Sequence, residues 1–379
     1  MSGFVFSEKP IAIERGEGAS LYDESGTAYL DAGASYACTP VGHCHPAVVE
    51  AVGEQAASLI YVQGSYPTAA RTELYERLAD LAPGDVSNVW LCNSGTEANE
   101  AAIKFARSAT GNEKIVATTR GFHGRTMGAL AATWKKQYRT PYEPLAGGFE
   151  FVPFGDADAL AEAVDDETAA VIVEPIQGEG GIHPAPSDYL QAARELTADA
   201  GAALIFDEIQ TGLGRTGTFW ACEHDGVVPD VLTTAKGLAS GLPIGATLCA
   251  DWVAESAGPH GSTFSGNPVV CAGANATLET LVDENLAAHA ADVGAYLADE
   301  IAAADLPVRD VRGRGLMIGI EVKRGSNRLL RELALNHQIL ALPAGRSVLR
   351  LLPPLVLERE EADRIVTALT DVLGVTTEP

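Results

Sequence analysis

Lys236 closes the run VVPDVLTTAK and opens onto GLASGLPIG. A lysine at the end of a buried strand, against Gly-rich backbone, is partly desolvated. Desolvation lowers its pKa and leaves a nucleophilic amine suited to Schiff-base chemistry. Taken alone, a solvated surface lysine is the commoner reading. Asp207 closes AALIFDE, where apolar residues lead a carboxylate to a strand end. A buried carboxylate needs a cationic or protonated partner. A protonated ring nitrogen is one, and the pairing keeps such a ring an electron sink; a helix cap is the other reading.

The run Ser94-Gly95-Thr96-Glu97-Ala98-Asn99 follows NVWLC and opens a helical pattern. Ser94 and Glu97 have capping-box spacing. Gly95 lets backbone approach a ligand, and free N–H groups at the positive end of the helix dipole suit a phosphate. A well-capped helix explains the same letters. Gly121-Phe122-His123-Gly124-Arg125 offers an aromatic face for a flat ring and a guanidinium for a carboxylate, or simply a turn with a packed aromatic. Two further motifs point elsewhere. His43-Cys44-His45 lacks a second ligand pair at metal-site spacing, so a turn before Pro46 is expected and no metal. Gly212-Leu213-Gly214-Arg215-Thr216-Gly217 matches a dinucleotide fingerprint, but DEIQT separates it from its strand and no apolar helix follows.

These residues must be held by something, and the apolar runs say what. NVWLCNSG, KIVATTRG, FEFVPFG, AAVIVEP, AALIFDE and VLTTAKG each read as a buried strand ending in a polar or Gly residue. Amphipathic stretches such as TEANEAAIKFARSAT lie between them. The alternation predicts an α/β fold with a mainly parallel central sheet covered by helices on both faces. Ligands then sit at the carboxyl ends of the strands. Before residue 40, IERGEGASLYDESGTAYLD predicts a small hairpin with an SG turn. After residue 267 the pattern predicts one long Ala/Leu helix (residues 275–304), two further strand regions and a closing helix. The expected organisation is an N-terminal segment of the small domain (1–40), a large cofactor-binding domain (41–266) and a C-terminal small α+β domain (267–379).

Composition bounds the partners. The net charge is −25, and seven of the 26 basic residues are Lys. An acidic surface poor in Lys keeps a protein soluble at high salt, so a halophilic, archaeal source is expected. Nucleic acid and anionic membranes are disfavoured as partners. The six Cys show no CxxC spacing, which predicts reduced thiols in a cytoplasm. The start MSGFVFSEKP lacks the basic and apolar regions of a secretory leader, and no apolar run is long enough to span a membrane.

Together and in this order, NSGTEANEAAIKFAR, GFHGRTMG, VEPIQGEGG, IFDEIQTGLGRTG and TTAKGLASGLPIGA resemble the class III aminotransferases of fold type I, over nearly the whole chain. The likeness is strongest to the acetylornithine and ornithine type. TMGALAATWKKQYRTPYEPL and ILALPAGRSVLRLLPPLVL look most like the branch acting on lysine or ornithine attached to an amino-group carrier protein. The resemblance implies pyridoxal 5′-phosphate as cofactor, bonded to Lys236, with Asp207 on its ring nitrogen. It implies Gly95 and Thr96 at the phosphate, Phe122 over the ring and Gln210 beside the 3-hydroxyl. Thr263 would reach the phosphate of a partner subunit, making a homodimer. Arg125 and Ser262 would contact the blocked end of the substrate. Arg350 would bind the α-carboxylate of glutamate, and Glu179 would neutralise Arg350 when the ω-amine substrate is present. The implied reaction moves the terminal amine of an Nα-blocked ornithine or lysine to 2-oxoglutarate, giving a semialdehyde and glutamate, in arginine or lysine biosynthesis. Alternatives are an ornithine or 4-aminobutyrate aminotransferase, an aminomutase, or, more distantly, a nicotinamide oxidoreductase. The acidic composition offers no evident basic dock for a carrier protein; segments near Arg125 and Arg139 are the candidates.

Overall fold

The computed structural model describes residues 9–374; most of the start MSGFVFSEKP, read above as no secretory leader, lies outside them. Three short strands come first: β1 (Ile13–Glu17), β2 (Ser20–Asp23) and β3 (Ala28–Leu30), an antiparallel meander. The expected hairpin is its second half, turning at Gly26 (φ 83°), a left-handed position that suits glycine.

The centre is a seven-stranded sheet built from β4 (Asn88–Cys92), β5 (Lys114–Thr118), β6 (Phe149–Val152), β7 (Thr168–Val173), β10 (Ala203–Asp207), β11 (Val231–Thr234) and β12 (Gly245–Cys249). A two-residue pair, β8 (Ile176–Gln177) and β9 (His183–Pro184), follows β7. The order across the large sheet is β4-β12-β11-β10-β7-β5-β6. All pairings from β11 to β6 are parallel, whereas β12 runs antiparallel to both β11 and β4. Every residue of β7 and β10 is buried, which is why their sequences are continuous apolar runs without alternation. Six of these strands were read from sequence; β12 was not. Its GATLC follows GLPI directly, and the surrounding glycines read as a flexible loop.

Because β12 reverses twice, β4 is aligned with β11, and the carboxyl ends of β4, β5, β7, β10 and β11 share one edge. The chemistry-bearing segments leave from that edge. The Gly95–Thr110 helix follows β4. Ser94 caps it, its Oγ accepting from Glu97 N at 3.3 Å, and Gly111 closes it at φ 74°. Its Ala98, Ala101, Ala102, Phe105 and Ala106 face is buried.

The expected long helix at 275–304 is two helices, Pro268–Asp283 and Leu286–Ala303. The break is at Asn285, which is left-handed (φ 49°), a conformation Asn tolerates and a helix interior does not. The first of the pair packs on the Pro46–Ser58 and Ala69–Asp80 helices, the second on the Arg359–Gly374 helix. The last sheet, antiparallel, is β13 (Val308–Arg314), β14 (Met317–Val322), β16 (Val348–Leu351) and the edge strand β15 (Leu342–Ala344). The end of β3 is tied to the segments flanking β15 and β16: Leu30 N donates to Gln338 O (2.8 Å), Leu340 N to Leu30 O (2.9 Å) and Leu352 N to Ala32 O (2.8 Å).

Among the described residues no helix is long and apolar enough to cross a membrane, and no group of three potential ligands is placed to hold a metal. His43 pairs instead with Asp31 at 2.8 Å. The GLGRTG segment is a packing device. Gly214 (φ 85°) and Gly217 (φ 100°) are left-handed and lie against Ala287 and Ala291 of the Leu286–Ala303 helix. The buried Arg215 between them donates to Leu316 O and Pro353 O. No helix long enough to receive a pyrophosphate follows the segment.

Candidate active site

A cavity of about 570 Å³ opens at the carboxyl edge of the large sheet, and β15 supplies its far wall through Pro343 and the following Gly345. Lys236, Asp207, Gly95, Thr96, Phe122, Arg125, Glu179 and Gln210 all line it. Lys236 lies two residues beyond β11, in a left-handed conformation (φ 40°) that non-glycine residues rarely adopt and that clusters at functional sites. Burial lowers its amine below the ordinary lysine value; the charge of Glu179 opposes this and that of Arg350 adds to it.

Asp207 ends β10 and is buried. Its Oδ2 accepts from Asn99 Nδ2 (2.7 Å) and pairs with His123 Nδ1 (2.8 Å), while Oδ1 accepts from Ile209 N (3.1 Å). Asn99 is itself fixed, donating to His123 O (2.7 Å) and accepting from Thr233 Oγ1 (2.8 Å). Burial pushes the His123 imidazolium down, but the hydrogen bond and charge of Asp207 outweigh this and hold it above the ordinary histidine value. The Asp207 carboxyl therefore sits in the wall held by two side-chain partners and one backbone N–H. Glu174, one residue past β7, accepts from Phe122 N (2.9 Å) and Gly178 N (3.0 Å), tying the Phe122 turn to the segment that carries Glu179. Burial raises its carboxyl above the usual range.

Arg350, on β16, has a side chain with no exposure, and its Nη1 donates to Gln210 Oε1 at 2.9 Å. Its Nη2 lies 2.7 Å from Glu179 Oε1, within ion-pair distance but not aligned as a hydrogen bond, and neither Nη2 nor Nε has a hydrogen-bond acceptor. Tyr36 adds its ring to the cavity, 5.5 Å from the Arg350 guanidinium. It belongs to the run Ala34–Ala37, left-handed at every residue (φ 41°, 50°, 67° and 66°).

Of the residues singled out from sequence, Arg350 lies behind the cavity wall, against Glu179 and Gln210, and Ser262 and Thr263 are not brought to the cavity within one chain. Ser262 Oγ accepts from Asn93 Nδ2 (2.8 Å), and Thr263 is exposed with its carbonyl accepting from Tyr61 Oη (2.5 Å). Conversely, Tyr36, Asn99, Glu174, Lys135 and Tyr138 belong to the site or its support without having been assigned a role. Asn99 carried a usable signal, since it stands one helical turn after Gly95. The others carried none.

An edge-on cavity at the carboxyl ends of a parallel sheet, with a lysine amine, a braced carboxylate and a helix N-terminus converging on it, defines a fold type I transferase. A family model described as aminotransferase class-III matches residues 5–373, and the chain belongs to that family. It is 46% identical over 371 residues to the acetylornithine aminotransferase of Methanopyrus kandleri, covering 97% of this chain and 95% of that protein. It is 44% identical over 375 residues to the [LysW]-aminoadipate semialdehyde transaminase of Deinococcus radiodurans, covering 98% and 87%. Among solved structures it superposes on the ornithine aminotransferase of Toxoplasma gondii with a TM-score of 0.93 at 34% identity, covering 98% and 93% of the two chains. Another structure of that enzyme reveals partial occupancy of PLP at its active site.

Proposed function

We propose that this aminotransferase moves the terminal amine of an Nα-blocked ornithine or lysine to 2-oxoglutarate, releasing a semialdehyde and glutamate. Its cofactor is pyridoxal 5′-phosphate. The residues present fit that group. The Gly95 and Thr96 amides, in the first helical turn, have no intrahelical acceptor and suit a phosphate. The braced Asp207 suits a cationic ring nitrogen, and Phe122 presents a flat face. Lys236 supplies the amine that would hold the cofactor, and Gln210 would stand at its 3-hydroxyl side. When bound, the cofactor supplies an electron sink for charge developing at the carbon that loses its proton.

Lys236 Nζ would take the proton from the substrate's terminal carbon and, in the half-reaction that makes glutamate, would deliver a proton to the α-carbon of 2-oxoglutarate. Asp207, held by Asn99 and His123, would keep a proton on the ring nitrogen. Arg125 and Ser262 would meet the blocked end of the substrate. Ser262 and Thr263 stand away from their own chain's cavity, which supports a homodimer in which Thr263 serves the partner's phosphate.

The observation that carries the substrate reading is Arg350. It is a fully buried guanidinium with two nitrogens, Nε and Nη2, lacking an acceptor and a carboxylate beside it. Such a group can exchange one carboxylate, Glu179, for another, that of glutamate or 2-oxoglutarate. The test compares turnover of ornithine, N-acetylornithine, and ornithine and lysine linked to a carrier protein, each with 2-oxoglutarate. At least tenfold faster turnover of blocked over free ornithine is expected. Preference for free ornithine or 4-aminobutyrate would overturn the reading, and failure to form glutamate in step with the semialdehyde would point to an aminomutase.

The charge of −25 and the free state of all six cysteines support a reducing, salt-rich cytoplasm, the interior of a halophile. Crowded carboxylates repel one another until salt screens them. The melting temperature is expected to rise with KCl to above ~1 M; a maximum below ~0.1 M would sink the halophilic assignment.

A further inference from the structure

Arg350 can trade Glu179 for a substrate carboxylate only if Glu179 is held at a fixed distance from it, and one row of the small sheet sets that distance. Arg312 on β13, Gly319 on β14 and Arg350 on β16 are directly paired in register. Residues opposite one another in a sheet project from the same face. Two guanidiniums therefore stand in one row, two strand spacings or roughly 10 Å apart at the backbone, with a position bare of side chain between them. The segment that carries Glu179 lies along this row. Arg350 meets the Glu179 carboxylate (2.7 Å). Ile182 packs onto Gly319, where an added Cβ would lie 2.7 Å from its own. Arg312 takes the backbone beyond: Nε donates to Ile182 O (2.8 Å) and Nη2 to Gly181 O (2.7 Å). Its Nη1 donates to Asp310 and Glu321, each at 2.8 Å, which turns the other two nitrogens toward the segment.

The segment is tied elsewhere too. Gly178 N donates to Glu174 Oε2 (3.0 Å), and Gly345 N donates to Glu179 O (3.1 Å). Ile182, fully buried, is left-handed at φ 53°, a conformation that a β-branched residue keeps only where its surroundings impose it. Gly319 and Arg312 are those surroundings. We infer that Arg312 is a positioning residue for the carboxylate exchange: by fastening Gly181 and Ile182 to the strand row that carries Arg350, it confines the exchange to a rotation of the Glu179 side chain. This rests on the reading that Glu179 and a substrate carboxylate alternate at Arg350. A segment free to lift takes Glu179 with it and leaves Arg350 open to a carboxylate in both half-reactions. A fastened segment returns Glu179 whenever the substrate's own carboxylate leaves.

The probe is glutarate, which offers a carboxylate to Arg350 and has no carbonyl to react. It is titrated into the holoenzyme by calorimetry, so binding is read without turnover. Glutarate must displace Glu179, so Glu179→Ala is expected to tighten it by about 10²-fold. Arg312→Met is expected to tighten it by about tenfold in the parent enzyme and to add nothing in the Glu179→Ala background. Arg312→Lys keeps a cation beside Asp310 and Glu321 but loses the fork. It is expected to tighten glutarate by about threefold, and it guards against misfolding of the Met variant. The ratio of kcat/KM for glutamate over N-acetylornithine should rise in the same order. If Glu179→Ala tightens glutarate while both Arg312 variants leave it unchanged or weaken it, the positioning role is overturned and the exchange stands. An Arg312→Met effect of equal size with and without Glu179 overturns the role as well, since Arg312 then acts on the fold at large. Unchanged glutarate binding in Glu179→Ala refutes the exchange itself, and the role of Arg312 falls with it.

Discussion

Lys236→Ala lowers kcat by about 10⁴-fold, the upper end for loss of a general acid–base group, and abolishes the borohydride-trappable adduct at that position. The structure makes the lysine's identity stringent. Its amine is pushed below the ordinary lysine value by burial, so a neutral, proton-accepting form is accessible nearer neutral pH. Lys236→Arg should fail as completely, because a guanidinium stays protonated and cannot form the bond. The cavity, the helix N-terminus and Asp207 remain in both variants, so cofactor retention should persist while turnover is lost. A kcat within tenfold of the parent enzyme would remove Lys236 from the reaction.

Glu179→Ala should shift the ratio of kcat/KM for glutamate over the ω-amine by about 10²-fold in favour of glutamate, the scale of truncating one member of a buried charge pair. The two members differ in freedom. The Arg350 side chain has no exposure, while that of Glu179 is 29% exposed. Glu179 can therefore swing into solvent at little cost, whereas Arg350 cannot leave. In the parent enzyme a bound ω-amine leaves Arg350 against Glu179, and a bound glutamate replaces that carboxylate with its own. Without Glu179, the first case strands a buried cation with Gln210 as its one hydrogen-bond partner, and only the second remains compensated. An unchanged ratio, measured with N-acetylornithine and glutamate as alternative amino donors, would contradict the exchange.

The parts of this site legible in sequence are those that end apolar runs. Asp207 and Lys236 stand out because a buried strand delivers each to the same edge, and Ser94 to Glu97 because a cap has a spacing. What could not be read depends on pairing across the fold. The His123–Asp207 contact joins residues 84 positions apart, and nothing in GFHGR distinguishes a histidine that braces a carboxylate from one in a turn. Tyr36 enters the cavity through a left-handed run whose letters, Ala-Ser-Tyr-Ala, favour no such conformation. In the fold, the parallel strands followed from runs apolar on both faces, while β12 was hidden because glycines that read as slack backbone lead into a fully buried strand. The single helix expected across 275–304 failed at one residue, Asn285, whose left-handed backbone no hydrophobic period reports.

The bonds that Leu30 makes to Gln338 and Leu340 carry a consequence for how the chain is made. A ribosome adding about 5–20 residues per second needs roughly 15–60 s to travel the intervening ~300 positions. Throughout that interval the first three strands stand without the segment that β3 bonds to, its backbone groups unsatisfied along an open edge. Their shortness and their charged residues, Glu14, Arg15, Glu17 and Asp23, discourage pairing with neighbouring nascent chains. Docking of the first three strands thus waits on residues 338–352, while the large sheet, complete by Cys249, has all its strands in hand well before.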